Sequence, residues 1–278
     1  MAITGTGTKD DPYIVHNYDE LKEKYTEQNG STTEWYIKLV NDIDCNDFGD
    51  SWEWTAMGRG YGNKYIDLDN HTIKNIMIKF GSSLFFDSNG STHISNGKIL
   101  NVFSNGAANI FNNVNLENIS ISINGTNVTG HAILNTNMSK CAVYYKANKM
   151  MAKFYTGGSQ LLKNCDFEFD IPDINGQSIF EASSTCLEDC RIRGNIKGHK
   201  PQGWLSWYGI NNSVIEIDTT ESTGSNDVTM NASSGTIINT EVCPNIENLR
   251  GLTACTTAQM RDPDYLNSIG FTVAKVGE

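Results

Sequence analysis

The sequence predicts an all-β chain, wound as a parallel β-helix of about eight or more coils between small α/β caps. Three observations predict this fold class. A pattern recurs with a period in the twenties, the residues inside each repeat alternate as in strands, and an Asn or Asp occupies one fixed place of the repeat. A period of this length is typical of a solenoid, in which each coil stacks on its neighbour.

The repeat runs from residue 73 to residue 242. In each set a hydrophobic residue is followed two positions later by Asn or Asp, and five positions later by another hydrophobic residue. Successive sets start 21, 22, 22, 24, 25, 23 and 27 residues apart, and Lys140 alone departs from the Asn/Asp column. The eight sets are Ile73/Asn75/Ile78, Ile94/Asn96/Ile99, Leu116/Asn118/Ile121, Met138/Lys140/Val143, Leu162/Asn164/Phe167, Leu187/Asp189/Ile192, Ile210/Asn212/Ile215 and Ile237/Asn239/Val242.

The Asn column predicts a corner in each coil. Asn tolerates the left-handed backbone conformation that a sharp bend requires, and its amide can bond to the Asn of the next coil. The residue after each corner is small or apolar and is predicted to face inward, as is a second column further upstream. The first column is Ile76, Gly97, Ile119, Cys141, Cys165, Cys190, Ser213 and Thr240, and the second is Leu84-Phe85, Ile110-Phe111, Ile133-Leu134, Phe154, Ile179-Phe180 and Leu205.

Within the repeats, hydrophobic and polar residues alternate with period two, as in residues 166–170, and no segment has the period of a long helix. Over roughly residues 65–245 this arrangement resembles the right-handed parallel β-helix of pectate-lyase-like proteins and phage tailspikes. The resemblance concerns the repeat architecture and includes no catalytic motif. We divide the chain into an N-terminal cap (1–64), the parallel β-helix (65–245) and a C-terminal α/β cap or association segment (246–278).

The N-terminal cap is predicted to cover the open end of the solenoid, where backbone groups and apolar core are otherwise exposed. Residues 11–15 and 35–43 alternate as strands. Asn17 followed by Glu20 forms a capping box for a helix through about Gln28. Residues 5–15, with the pattern Gly-Thr-Gly-Thr-x-x-Asp-Pro-Tyr-x-Val, are similar to the start of many bacterial and phage β-helix surface proteins.

The C-terminal segment is predicted to contain two short helices and a closing strand. Thr256 with Gln259 caps the first helix, Asp262-Pro263 begins the second, and Gly270 ends it. The strand is expected over residues 271–276. The pattern Met-x-Asp-Pro-x-Tyr-Leu, followed by Gly-Phe-x-Val, is similar to the tails of bacterial and phage β-helix repeat proteins.

Composition and charge exclude several functional classes. The hydrophobic fraction is 38% and the charged fraction 19%, so much of the surface is uncharged Asn, Ser, Thr and Gly, as in β-solenoids. The net charge of -11 argues against nucleic-acid binding. The N-terminus lacks the features of a signal peptide. The sequence contains no run of about 18 apolar residues, the length that a membrane-spanning helix needs. Seven cysteines, an odd number, form no closed disulfide framework, so we expect reduced, buried thiols.

The column spacing also predicts a charge ladder on the outer face. Asp166 lies 25 residues before Arg191, and Glu168 lies 25 before Arg193, which equals the offset between two repeat starts. Arg193 lies 23 residues before Glu216. Outward side chains of adjacent coils are about 4.8 Å apart. Glu168–Arg193–Glu216 is therefore predicted to alternate in charge along the stack, and each exposed pair contributes less than about 1 kcal/mol.

Enzymes built on β-helices carry two or three carboxylates on one outward face. Asp166, Glu168 and Asp170 are the candidates here, with two interpretations: the structural ladder, which we favour, and a site that hydrolyses a glycan. The D-x-D pairs at 42–44 and 67–69 lack a full calcium-loop pattern, and the five histidines lack zinc-ligand spacing. We therefore predict no catalytic residue, no metal and no cofactor.

Trp204, Trp207 and Tyr208 are the predicted binding residues, because exposed aromatic rings stack well on sugars. The alternative interpretation is that Trp204 and Tyr208 fill the core of a coil, since large aromatic residues are mostly buried.

These observations favour a phage virion protein: a non-catalytic fibre, spike or decoration subunit, made in the host cytoplasm and displayed on the particle. The expected partners are other virion proteins and a host cell-surface glycan, without nucleic acid and without membrane insertion. The step from fold to virion is an analogy, since folds do not determine function. The alternatives are a polysaccharide depolymerase of the lyase or hydrolase type and a bacterial surface adhesin.

Self-association is expected as well. Leu100, Tyr144, Val214 and Ile238 are predicted to point outward, and clustered apolar residues on a solenoid face indicate a partner. We expect a homotrimer, with the C-terminal segment as the clasp.

Overall fold

The chain folds as a parallel β-solenoid of about seven turns, in which strands predominate and helices are few. The structure is a computed structural model and describes residues 2–27, 34–49, 52–54, 57–58, 63–78, 82–87, 92–106, 109–128, 130–151, 153–175, 179–182, 186–200, 205–206, 209–224, 235–244, 246, 249 and 251–271. The predicted fold class is confirmed, with slightly fewer turns than the repeat count indicated.

The described elements are numbered in chain order. The helices are α1 (Tyr18–Thr26), α2 (Thr257–Met260) and α3 (Pro263–Ser268), with a 3₁₀ helix at Cys45–Phe48. The strands are β1 (Tyr13–Val15), β2 (Glu34–Leu39), β3 (Ile43–Asp44), β4 (Met57–Gly58), β5 (Asn63–Asp67), β6 (Thr72–Ile78), β7 (Phe85–Phe86), β8 (Thr92–Gly106), β9 (Phe111–Asn112), β10 (Val114–Val128), β11 (Ile133–Leu134), β12 (Asn137–Ser139), β13 (Ala142–Met150), β14 (Tyr155–Gly157), β15 (Leu161–Lys163), β16 (Asp166–Asn175), β17 (Phe180–Ala182), β18 (Cys186–Glu188), β19 (Arg191–Lys200), β20 (Leu205–Ser206), β21 (Gly209–Asn211), β22 (Val214–Asp218), β23 (Ser222–Gly224), β24 (Ile237–Asn239) and β25 (Thr253–Cys255).

The strands form two sheets of stacked parallel strands. Seven short strands stack in the order β4, β7, β9, β11, β14, β17 and β20, and eighteen others form the second sheet. In one turn, β9 leads to a corner at Asn113, and β10 bends again at Asn118. The eighteen-stranded sheet has two faces, separated by the corner at Asn118. The residues in register with 114–117 form the face that we call the short-strand face, which is distinct from the sheet of seven short strands. The residues in register with 120–128 form the long-strand face.

The register confirms six of the eight predicted sets and corrects the first and the last. The starts from Ile94 to Ile210 pair in sequence, for example Leu116 with both Ile94 and Met138. Ile73, however, pairs with Ile99, and Ile237 pairs with Val214. Ile73 is therefore the second hydrophobic position of its turn and not the first. Ile237 lies one residue before that position, which Ile238 occupies opposite Ile215.

The corner column is confirmed by backbone geometry in the six correct sets. Asn96, Asn118, Lys140, Asn164, Asp189 and Asn212 have φ between 45° and 57°. Asn239 does not have a positive φ, which agrees with its shifted register. Asn118 Nδ2 donates to Asn96 Oδ1 at 3.1 Å, and Asn212 Nδ2 donates to Asp189 Oδ1 at 2.5 Å. The side-chain bonds expected between corners of adjacent coils are therefore present at these two steps.

A second corner column explains why the first set was misplaced. Asn75 and Asn101 also have positive φ, and Asn101 Nδ2 donates to Asn75 Oδ1 at 3.1 Å. This column belongs to a bend further along β6 and β8. The corner equivalent to Asn96 lies earlier, at Asp69 and Asn70, which are both left-handed and lengthen that turn.

Substitutions in the corner column test this assignment. Asn118→Ala is expected to lower the free energy of unfolding by about 1–2 kcal/mol, because Ala disfavours the left-handed backbone and loses the amide bond. Asn164→Ala loses the backbone preference and is expected to cost about 1 kcal/mol. Lys140→Asn is expected to stabilise the fold by about 0.5–1 kcal/mol, since Asn suits the φ of 54° at this position. Thermal melts measure all three, and wild-type melting of both Ala variants would contradict the corner assignment.

The interior is filled by inward columns of apolar side chains. The upstream column is confirmed through Leu84, Phe85, Ile110, Phe111, Ile133, Phe154, Ile179 and Phe180, all essentially inaccessible, whereas Leu134 is half-buried. Leu205 lies in β20, and its side chain is outside the described residues. Because of the register shift, Ile76 and Thr240 do not belong to the column after the corner, contrary to the prediction. The rest of that column runs from Gly97 to Ser213, and Leu68 and Thr236 lie next to these two ends.

Three consecutive turns place Cys141, Cys165 and Cys190 in the column after the corner, as predicted. The neighbouring Cys165 thiol and burial hold the pKa of Cys141 well above its usual range, and burial does the same for the pKa of Cys165. The described cysteine side chains are buried and form no disulfide, so they act as small packing groups.

The predicted N-terminal helix is present and packs on the first turns. Helix α1 begins after Asn17, whose side chain accepts from the Glu20 backbone N–H at 3.0 Å. The Glu20 carboxylate accepts from the His16 backbone N–H at 2.8 Å, so the expected reciprocal box is displaced by one residue. Lys64 is buried and its Nζ donates to the Tyr25 carbonyl in the last turn of α1. This contact fastens the helix to the solenoid, and burial lowers the pKa of Lys64.

The C-terminal cap folds against the outside of the last turns. Both helices have the predicted caps: a full capping box at Thr256 and an Asp262 cap before Pro263. Met260, Tyr265, Leu266 and Ile269 pack with Val214 on a buried cluster of Ile237, Cys255 and Phe271. The expectation that Val214 and Ile238 point outward for a partner is therefore corrected. This cluster covers Val214, and Ile238 lies in the core with no exposed surface.

Candidate functional site

A continuous groove runs along the short-strand face, and we call it the axial groove. Two cavities of 330 and 410 Å³ form it and share Tyr65, His93 and Ser95. Its central column follows the register of successive turns: Tyr36, Tyr65, His93, Asn115, Asn137 and Leu161. Five steps of about 4.8 Å give a length of about 24 Å. The groove therefore has the shape to hold an extended ligand along the solenoid axis.

An aromatic stack lines the N-terminal half of the axial groove. The ring centroids of Tyr36 and Tyr65 are 4.6 Å apart, those of Tyr65 and His93 are 4.8 Å apart, and the planes are nearly parallel. Both phenol hydroxyls donate to Glu34, at 3.0 and 3.4 Å. Desolvation and this carboxylate raise the pKa of both phenols, and burial lowers the pKa of His93. At neutral pH the stack is therefore an uncharged aromatic wall.

The C-terminal half of the groove is polar, and the charged side chains at its border form ion pairs. Asn137 Nδ2 donates to Asn115 Oδ1 at 2.8 Å, and Asn137 Oδ1 accepts from the Leu161 backbone N–H at 2.9 Å. The charged residues at the border pair with side chains of adjacent turns: Lys163 with Glu188 at 2.6 Å and Glu117 with Lys140 at 3.5 Å. The groove thus offers amides, hydroxyls and ring edges, which suit an uncharged polar ligand.

The carboxylates considered as catalytic candidates lie in ion pairs on the long-strand face. The predicted register pairs of Asp166 with Arg191 and Glu168 with Arg193 are confirmed. Arg193 contacts Asp166 at 3.3 Å and Glu168 at 2.8 Å. Glu216 pairs with Arg191 at 2.8 Å instead of completing the ladder at Arg193. These carboxylates are held by cations, which supports the structural interpretation.

The third carboxylate candidate, Asp170, is also paired, with Lys146 at 2.9 Å. Trp204, Trp207 and Tyr208 lie outside the described residues. In the described part of the chain, no group of three His, Cys, Asp or Glu side chains is placed to hold a metal ion. No helix among these residues has the length and apolar character needed to cross a membrane.

Sequence reasoning missed the axial groove, although a signal for it exists. The column alignment began at Ile73, whereas Tyr36 and Tyr65 belong to earlier turns whose strands pair in register with β8 through β5. Extending the alignment upstream places Tyr36, Tyr65 and His93 in one outward column. The stacking of their rings requires side-chain geometry that spacing does not provide.

Comparison with known proteins adds a likeness of fold. No protein-family model matches the chain, and no curated protein matches it. A crystal structure of a "putative immunoglobulin A1 protease" from Bacteroides ovatus matches with 14% sequence identity and a TM-score of 0.49. The match covers 95% of this chain and 89% of that chain. At this identity and TM-score the likeness supports no statement about activity.

Proposed function

We propose that this chain is a non-catalytic phage virion protein, a fibre, spike or decoration subunit that contacts a host cell-surface glycan through the axial groove. The observation that supports binding is the groove itself, a polar and partly aromatic channel that crosses six turns. The virion assignment rests on the resemblance of the repeats and of both ends of the chain to phage β-helix proteins. Capsid and portal genes beside the coding sequence would support it, and a glycan-utilisation cluster would contradict it.

Glycan binding is testable with immobilised polysaccharides. We expect the wild-type chain to bind at least one linear, uncharged bacterial surface polysaccharide, and Tyr65→Ala to weaken that binding about tenfold or more, because the variant removes the centre of the stack. The control is Met151→Ala, which removes an exposed side chain that lies outside the axial groove. Equal binding by wild type and Tyr65→Ala, or no binding to any neutral polysaccharide, would contradict the proposal.

A polysaccharide depolymerase is the second candidate. One observation favours it: a 230 Å³ depression on the long-strand face is lined by Tyr144, Asp166, Glu168 and Arg193. Because Arg193 holds both carboxylates, we expect no new reducing ends and no unsaturated sugar after incubation with capsular polysaccharides. Turnover that disappears in Asp166→Ala or Glu168→Ala would establish the enzyme and refute the non-catalytic proposal.

We also propose assembly into a homotrimer within the particle. Leu100 and Tyr144 remain partly exposed, and the neighbouring Met77 and Phe103 are 41% and 40% exposed and pair in register. We expect light scattering at micromolar concentration to give a trimer mass that deletion of residues 251–278 reduces. A monomer mass for the full chain would refute self-trimerisation and direct the search toward a second virion protein.

A further inference from the structure

A cavity of 280 Å³ separates the last turns of the solenoid from the C-terminal helices. At about 30 Å³ for each water molecule, it has room for on the order of nine waters. This is below the usual range of sites for drug-sized ligands and suits one small metabolite. The site lies on a different part of the surface from the axial groove, and the inference below does not depend on glycan binding.

The inner part of the cavity is apolar. Ile237 and Phe271 are buried in its wall, and Val214, Met260 and Leu266 pack around them. These side chains form the cluster that attaches the helices to the solenoid. An apolar group of a ligand would extend this cluster and would lose its contact with water.

The rim of the cavity carries four charged residues, of which two neutralise each other. Arg191 pairs with Glu216 at 2.8 Å. One carboxylate oxygen of Asp189 accepts from the Asn212 side chain, and the second oxygen is left for a ligand. Arg261, at the C-terminal cap of α2, is exposed and makes no ion pair with the described residues. The rim therefore presents one anion and one cation to a ligand.

We propose that this cavity binds a free α-amino acid with an apolar side chain. Its ammonium group pairs with Asp189, its carboxylate pairs with Arg261, and its side chain contacts Ile237 and Phe271. A zwitterion matches the two rim charges, and charge-assisted hydrogen bonds to both groups fix its orientation.

Calorimetric titration with L-leucine and two analogues tests the proposal. N-acetyl-L-leucine removes the ammonium charge, and L-leucinamide removes the carboxylate. We expect L-leucine to bind the wild-type chain with a Kd of about 1 mM or lower, and each analogue to bind about tenfold or more weakly.

Two variants link each charge to its residue. Asp189→Asn keeps the acceptor for Asn212 and suits the left-handed backbone, with a φ of 55°, and Arg261→Gln alters an exposed side chain. Each is expected to weaken L-leucine binding about tenfold or more while melting like wild type. Asp189→Asn should leave N-acetyl-L-leucine binding unchanged, and Arg261→Gln should leave L-leucinamide binding unchanged. Absence of saturable L-leucine binding, or wild-type affinity in both variants, would overturn the proposal.

Discussion

Gly194→Ala is expected to lower the free energy of unfolding by about 4 kcal/mol or more, measured by chemical denaturation. Gly194 lies in β19 with a φ of 120°, a conformation that other residues rarely adopt. A Cβ at this position would lie 2.0 Å from the Phe169 carbonyl oxygen and 2.6 Å from the Phe169 nitrogen. Because backbone and not a flexible side chain stands in the way, β16 and β19 must separate, and the solenoid loses its pairing at that turn.

Gly49→Ala is the matched control for this substitution. Gly49 also has a positive φ, 95°, but among the described residues no atom beyond its chain neighbours lies within 4 Å of the Cβ that Ala would add. This variant is expected to cost about 1–3 kcal/mol, from backbone strain alone. Equal destabilisation by the two variants would show that the close approach of β16 and β19 at Gly194 is wrong.

Phe154→Ala is expected to lower the free energy of unfolding by about 3–5 kcal/mol. Phe154 is fully buried, and its ring contacts four aromatic rings from neighbouring positions of the solenoid: Tyr145, Phe167, Phe169 and Phe180, with centroid distances of 4.9, 6.1, 5.0 and 5.6 Å. Removing this ring leaves a cavity that stacked strands on either side cannot close. Chemical denaturation with a fixed m-value measures the loss.

Two variants in the same cluster separate cavity formation from general disturbance of the core. Phe154→Leu retains most of the volume and is expected to cost less than about 1.5 kcal/mol. Tyr145→Phe is expected to stabilise the fold by about 1 kcal/mol, because the buried Tyr145 hydroxyl has no hydrogen-bond partner among the described residues. A loss for Tyr145→Phe similar to that for Phe154→Ala would contradict the described packing.

The sequence by itself determined the solenoid and most of its register. Six repeat sets, the corner residues from Asn96 to Asn212 and the column of Cys141, Cys165 and Cys190 were predicted correctly. The reason is that each requirement is local and recurs in every turn. A left-handed corner favours Asn, and an inward position favours a small or apolar residue.

Local pattern failed at the two ends of the repeat. Ile73 and Ile237 each precede an Asn by two positions. The Asn after Ile73 belongs to the second corner column, whereas Ile237 lies after the corner of its own turn. Spacing does not distinguish these cases, since a turn tolerates extra residues at a bend such as Asp69–Asn70. Pairing between backbones of adjacent turns decides which alignment holds.

Contacts between distant parts of the chain were decided only by the tertiary structure. Val214 was expected to meet a partner, but helices that begin more than forty residues later cover it. Glu216 lies in register with Arg193 yet pairs with Arg191, because side-chain direction and not register selects among neighbouring cations. The axial groove and the cavity beside Asp189 arise in the same way, from outward side chains whose positions depend on the stacking of several turns.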